Sequence, residues 1–92
     1  MNIYEKNAQI LKVISHPIRI KVIEELIQRG ECSVNQIVNI LGIPQSTTSQ
    51  HLAKMKAQKV VTCRRKGLEN YYSASDKNIN TIVEILLDKK LF

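Results

Sequence analysis

Ser33-Val34-Asn35-Gln36-Ile37-Val38-Asn39-Ile40-Leu41-Gly42-Ile43-Pro44-Gln45-Ser46-Thr47-Thr48-Ser49-Gln50-His51-Leu52 is the stretch that decides the reading of this chain. Ser33 followed three residues later by Gln36 is a capping box that starts a helix. Val34, Ile37, Val38 and Leu41 then recur at helical spacing. Gly42 stops that helix, and Pro44 or Gln45 opens the next, which is expected to run to about Gln58. Two short helices joined by a tight turn containing glycine make a helix-turn-helix.

The second of these helices has an unusual composition. Gln45, Ser46, Thr47, Thr48, Ser49 and Gln50 are short hydroxyls and amides, mediocre helix formers on a surface that would more often carry Glu, Lys, Ala or Arg. Such side chains suit phosphate positioning and base-edge contact. Helical phase sorts them. Thr48, Leu52 and Met55 fall together and should face the core. Ser46, Thr47, Ser49, Gln50 and Lys54 face outward, with Ala53 and Ala57 small enough to let the helix approach a groove. His51 lies between the two faces, where a buried, hydrogen-bonded ring and a phosphate contact are equal alternatives.

The charge points the same way. The chain has 92 residues and a formal net charge of +6. Residues 54–66 hold Lys54, Lys56, Lys59, Arg64, Arg65 and Lys66 and no carboxylate, while the remainder is balanced. A block this one-sided is the footprint of a polyanion site rather than a merely soluble surface. Val60 to Arg65 and Glu69 to Ser73 read as two strands joined at Lys66-Gly67-Leu68. Arg64, Arg65 and Lys66 should crowd the tip of that hairpin, as in a wing lying along phosphates or entering a minor groove.

Working outward, a helix is expected from about Tyr4 to Ile14, with Asn7, Ile10, Leu11 and Ile14 on one stripe. Another starts at Pro17 under a His16 cap, faces inward with Ile18, Val22, Ile23 and Leu26, and stops at Gly30. A last helix runs from about Asp76 to Lys90. Its apolar surface, Ile79, Ile82, Val83 and Leu86 widened by Ile85 and Leu87, is too broad for one neighbour. The simplest cover is a second copy of the chain. The expected architecture is therefore mainly α with a β-hairpin wing, a winged helix-turn-helix in the order α-α-α-α-β-β-α. It forms a single domain over 1–92, with the recognition helix at about 44–58 and the wing at about 60–73. Pairing uses about 3–14 and 76–90, through Ile3, Ile10, Ile79, Ile82, Val83 and Leu86.

These residues resemble the ArsR/SmtB family of winged-helix repressors. Ser15-His16-Pro17-Ile18-Arg19, the Ser-x-x-Ser-x-His-Leu pattern from Ser46 to Leu52, and the wing ending Tyr71-Tyr72-Ser73 carry the resemblance over nearly the whole chain. Within the family, Ser15 to Arg19, Ile43 to Thr47 and Gly67 to Tyr72 are most similar to regulators of Gram-positive virulence genes. The resemblance implies a dimer built on the first and last helices that represses an operator until an inducer acts. It also exposes departures. Many members bind metal through Cys-Val-Cys, where this chain reads Ser33-Val34-Asn35, with Cys32 one place out of register. Others use four ligands on the last helix, where this chain has Asp76, Asn78, Lys89 and Phe92. Asn, Lys and Phe do not replace thiolates or imidazoles, so no metal and no cofactor is expected.

The partners expected are double-stranded DNA and a second copy, with Gln45, Ser46, Thr47, Ser49, Gln50, His51, Lys54, Arg64, Arg65 and Lys66 at the DNA. No apolar run approaches the ~20 residues of a membrane span. The opening Met1-Asn2-Ile3-Tyr4-Glu5-Lys6 lacks the form of a signal peptide, so the expected location is the cytoplasm. Cys32, before a helix, and Cys63, beside Arg64 and Arg65, are the candidate redox pair in settings that favour thiolate, although packing is the commoner role of such residues. An enzyme is not expected, because nothing places a base beside a nucleophile. A protein-interaction module that uses the fold without DNA is the other alternative.

Overall fold

The computed structural model describes residues 2–91. Its elements are α1 (Ile3–Ile14), α2 (Pro17–Arg29), β1 (Cys32–Ser33), α3 (Val34–Leu41), α4 (Gln45–Ala57), β2 (Val61–Lys66), β3 (Glu69–Ala74) and α5 (Lys77–Leu87). The caps act where the side chains allow them. Asn2 Oδ1 accepts from the Glu5 N–H at 2.9 Å, and His16 Nδ1 accepts from the Ile18 N–H at 3.1 Å. Ser33 and Gln36 exchange both bonds of a capping box, and Asp76 receives the Asn78 and Ile79 N–H groups. Gly42 ends α3 in the left-handed conformation, at φ 66°, so the turn into α4 is tight.

β1 was not expected. Cys32 and Ser33 pair antiparallel with Tyr72 and Tyr71, which makes a three-stranded sheet in the order β1-β3-β2. Two residues are too short for a period-2 pattern, and their strand character comes from β3 rather than from local sequence. The core lies beneath this sheet, where Val22, Ile23 and Leu26 of α2 meet Ile37, Leu52, Met55, Val60, Val61, Ile79 and Val83.

The last helix is shorter than its sequence suggested. It ends at Leu87, and Asp88 turns the chain at φ 53°. Lys89 and Lys90 therefore lie beyond it. The tail folds back: Lys89 Nζ pairs with Glu24 Oε2 at 2.7 Å, the Leu91 N–H donates to Glu84 Oε2 at 2.9 Å, and Leu91 is buried. Lys89 first, then Lys21, holds the buried Glu24 carboxyl below the usual carboxylate range. The expected pairing residues are also divided. Ile79 and Val83 are buried within the protomer, because that side of α5 packs on α2 and beneath the sheet. They cannot meet a partner. Ile3, Tyr4 and Leu11 of α1 and Ile85 and Leu86 of α5 remain exposed.

Lys59 sits in the left-handed region, at φ 59°, in the turn from α4 to β2. A non-glycine residue there is strained by roughly 1–2 kcal/mol. Part of that relief is offset by the greater freedom of glycine in the unfolded chain. Lys59→Gly is therefore expected to stabilise the fold, by about 0.5–1 kcal/mol. A lowered midpoint of thermal or urea unfolding would contradict this.

Candidate nucleic-acid interface

α4 presents the face that its helical phase predicts. Thr48, Leu52 and Met55 are buried, while Gln45, Ser46, Ser49, Gln50 and Lys54 are exposed and Thr47 is half-buried. Thr48 anchors the first turn by donating both its N–H and its hydroxyl to the Pro44 carbonyl, at 3.0 and 3.1 Å. No side chain caps this helix. Its first-turn N–H groups, at the positive end of the helix dipole, stay free for solvent or an anion. No carboxylate occurs between Glu31 and Glu69, so α3, α4 and β2 carry no negative side chain.

His51 is half-buried at the edge of that face. Its Nδ1 accepts from Arg19 Nε at 3.0 Å, and its ring meets His16 edge-on, with centroids 4.6 Å apart. Burial first, then the neighbouring His16, Arg19 and Lys54, holds its pKa below the ordinary 6.5, which leaves the ring neutral at pH 7.

The wing differs from its expected form. Gly67 and Leu68 make a two-residue turn, with Gly67 at φ 63°. Arg64 is not at the tip: it pairs across the hairpin with Tyr71. It donates to both carboxylate oxygens of Glu31, at 3.0 and 2.6 Å, and lies 5.8 Å from the centre of the Tyr71 ring. Glu31 enters because β1 joins the sheet, which brings the chain just before Cys32 alongside the hairpin. Lys66, opposite Glu69, approaches the same ring at 6.0 Å. Arg65 donates to the Gly67 carbonyl at 3.2 Å. The cations at the tip are Arg65 and Lys66, and Leu68 beside them is 92% exposed.

The cysteines are flanking residues of one tyrosine. Cys32 on β1 and Cys63 on β2 are both register partners of Tyr72, from opposite sides. Their Cα atoms are thus two strand spacings apart, on the order of 9–10 Å. A direct disulfide tolerates only about 7 Å. Burial pushes the Cys32 thiol up, against the expected thiolate. Oxidation of the native protein with diamide should yield no Cys32–Cys63 bridge, and alkylation should reach the half-buried Cys63 before Cys32. A bridged peptide in digests of protein oxidised while folded would contradict this.

The family's metal positions are otherwise employed. Ser33 caps α3, Asp76 caps α5 and Lys89 pairs with Glu24. Phe92 lies outside the described residues. Among the described residues, no three His, Cys, Asp or Glu side chains gather where they could hold a metal ion, and no helix is long and apolar enough to cross a membrane.

The helix-turn-helix, the three-stranded sheet with its wing and the flanking helices define a winged-helix transcriptional regulator, and the chain belongs to the arsR family of bacterial regulatory proteins, whose model matches residues 16–62. It is 44% identical to the transcriptional repressor PagR of Bacillus anthracis over 82 residues, 89% of this chain and 82% of that protein. The crystal structure of PagR superposes with a TM-score of 0.83 at 42% identity, over 90% of this chain and 94% of that one. HlyU from Vibrio cholerae superposes with a TM-score of 0.85 at 26% identity, over 96% of each chain. Members of this family are regulators and not enzymes. Sequence reasoning missed Arg19 and Glu31. Their partners lie 32 and 33 residues away, and no local pattern announces such contacts.

Proposed function

We propose that this protein is a cytoplasmic, homodimeric transcriptional repressor that binds an inverted-repeat operator in double-stranded DNA, without metal sensing through the usual family positions. The carrying observation is the outward face of α4, Gln45, Ser46, Ser49, Gln50 and Lys54, beside a wing tipped by Arg65 and Lys66 and free of carboxylates along α4 and β2. In this reading Gln45, Ser46, Thr47, Ser49 and Gln50 meet base edges and the adjoining backbone. Lys54, Arg65 and Lys66 meet phosphates, His51 stands at the groove wall, and Arg64 contributes only what Glu31 leaves unneutralised. The relative that is named a transcriptional repressor supports the direction of control. A redox-sensing repressor using Cys32 and Cys63 draws no support from their separation across β3, and no observation favours an interaction module.

The test is a salt titration of binding to duplexes selected from a random pool. Log affinity should fall linearly with log salt, with a slope near −0.9 for each phosphate neutralised. An affinity indifferent to salt, or no preference among duplexes, would remove DNA recognition.

A further inference from the structure

We propose that Arg19 is a positioning residue for DNA binding, one that locks His51 in the tautomer whose Nε2–H donates to a backbone phosphate. The proposal rests on the DNA-binding reading above and assigns a role to a residue outside the helix-turn-helix.

The argument begins with hydrogen-bond chemistry. Arginine does not deprotonate, and its Nε–H can only donate. Arg19 Nε lies 3.0 Å from His51 Nδ1, so Nδ1 must present a lone pair. A neutral imidazole then carries its proton on Nε2. That nitrogen has no partner among the described residues. It is also absent from the buried unpartnered side-chain atoms, of which Asn80 Oδ1 is the one present. It therefore reaches the surface with a donor to offer.

The guanidinium is itself fixed. Arg19 NH1 donates to the Val13 carbonyl near the end of α1, at 2.9 Å. His16 packs edge-on against the His51 ring, and its own Nδ1 is occupied by the Ile18 N–H, so it does not compete for the bond. Three helices thus meet at Arg19, and the ring of His51 is held on one side by a donor and on another by an aromatic edge.

Position on α4 says what the free donor faces. Thr47, four residues earlier, and Lys54, three later, share its row, at the margin of the exposed face that Ser46, Ser49 and Gln50 occupy. A donor at that margin faces the wall of a groove, where the acceptors are phosphate oxygens. A ring held in one tautomer before DNA arrives has less freedom to lose on binding.

The test uses the full chain labelled with 15N. Long-range 1H–15N spectra report which ring nitrogen is bare. Binding is measured in parallel to a selected duplex and a scrambled one, for wild type, Arg19→Met, Arg19→Lys, His51→Ala and the Arg19→Met/His51→Ala pair. Wild type should show bare Nδ1 and protonated Nε2. Arg19→Met should shift the ring towards a mixture of tautomers and weaken both duplexes alike, about twofold, since affinity falls only by the fraction of rings left in the competent tautomer. His51→Ala, which removes the bond itself, should cost about tenfold, the worth of one hydrogen bond to a charged group. Arg19→Lys, which keeps a donor, should restore the tautomer and most of the affinity. In the His51→Ala background Arg19→Met should cost nothing further, since the pair acts as a unit.

A wild-type ring protonated at Nδ1 would overturn the proposal. So would an Arg19→Met that scrambles the tautomer and leaves affinity unchanged, or losses that add fully in the double variant. Wild type that binds no duplex at all would instead defeat the DNA-binding reading, and the phosphate role with it. Should Arg19→Met fail to fold, the wild-type ring and His51→Ala decide. Bare Nδ1 with a tenfold loss supports the assignment, and any other combination overturns it.

Discussion

Leu11→Asp combined with Leu86→Asp should yield a folded protomer that no longer pairs. Leu11 is 47% exposed on α1 and Leu86 63% exposed on α5, so neither change opens a cavity. A cavity of about 270 Å³ lies between the two helices, lined by the apolar Ile10, Leu11, Ile79 and Ile82 and by the polar Asn7, Asp76 and Asn78. In a symmetric dimer each substitution appears twice, which places four carboxylates in a patch meant to exclude water. Burying even one unpaired charge costs several kcal/mol, so dissociation should strengthen by more than about 100-fold. The structure shows why this pair is more informative than a variant at Ile82. Ile82 packs against the protomer's own core, so a charge there confounds pairing with folding. Sedimentation velocity at micromolar concentration, with circular dichroism as the check on folding, makes the measurement. Wild type that sediments as a monomer would sink the dimer outright. A dimeric double variant would move the interface away from α1 and α5.

Substitutions on α4 and the wing should separate base reading from charge. Gln50→Ala and Ser46→Ala should weaken the selected duplex more than a scrambled one, because each lost base contact reduces discrimination by about 1–3 kcal/mol. Lys54→Ala should weaken both equally and flatten the salt dependence by roughly 0.9. Arg65→Ala should do likewise, with an added sensitivity to A·T content if the side chain enters a narrow minor groove. Arg64→Ala is expected to change the slope less than either, because Glu31 already accepts two of its N–H groups. Glu31→Gln provides the control: it frees Arg64 and should steepen the salt dependence. Equal losses on both duplexes for Gln50→Ala and Ser46→Ala would take base reading away from α4. The dimer would set the spacing of the two copies of α4, expected one helical turn of DNA apart, about 34–36 Å.

Much of this was legible in the chain before any coordinates. The Ser33–Gln36 capping box, Gly42 as a stop, the His16 cap on Pro17 and the phase of Thr48, Leu52 and Met55 depend on partners two to seven residues away. Such interactions close within a turn or two of helix, and the residues that make them announce themselves by spacing. The basic block at 54–66 was equally plain, since charge is additive along the sequence. The helix-turn-helix and the basic surface followed from these, and the hairpin from the two strand-like runs on either side of Lys66-Gly67-Leu68.

Only the tertiary structure decided how the apolar surface of α5 is shared out, sending Ile79 and Val83 inward and leaving Ile85 and Leu86 outside. It likewise made a strand of Cys32 and Ser33, set Cys63 on the far side of Tyr72, tied Arg64 to Glu31 and brought Arg19 to His51. Each depends on elements far apart in the chain that meet at a particular angle and register. A side chain's hydrophobicity or charge is the same whichever neighbour it receives, so residue pattern does not say whether Arg19 or Glu31 has a partner, or at which residue. Packing of the whole protomer decides both.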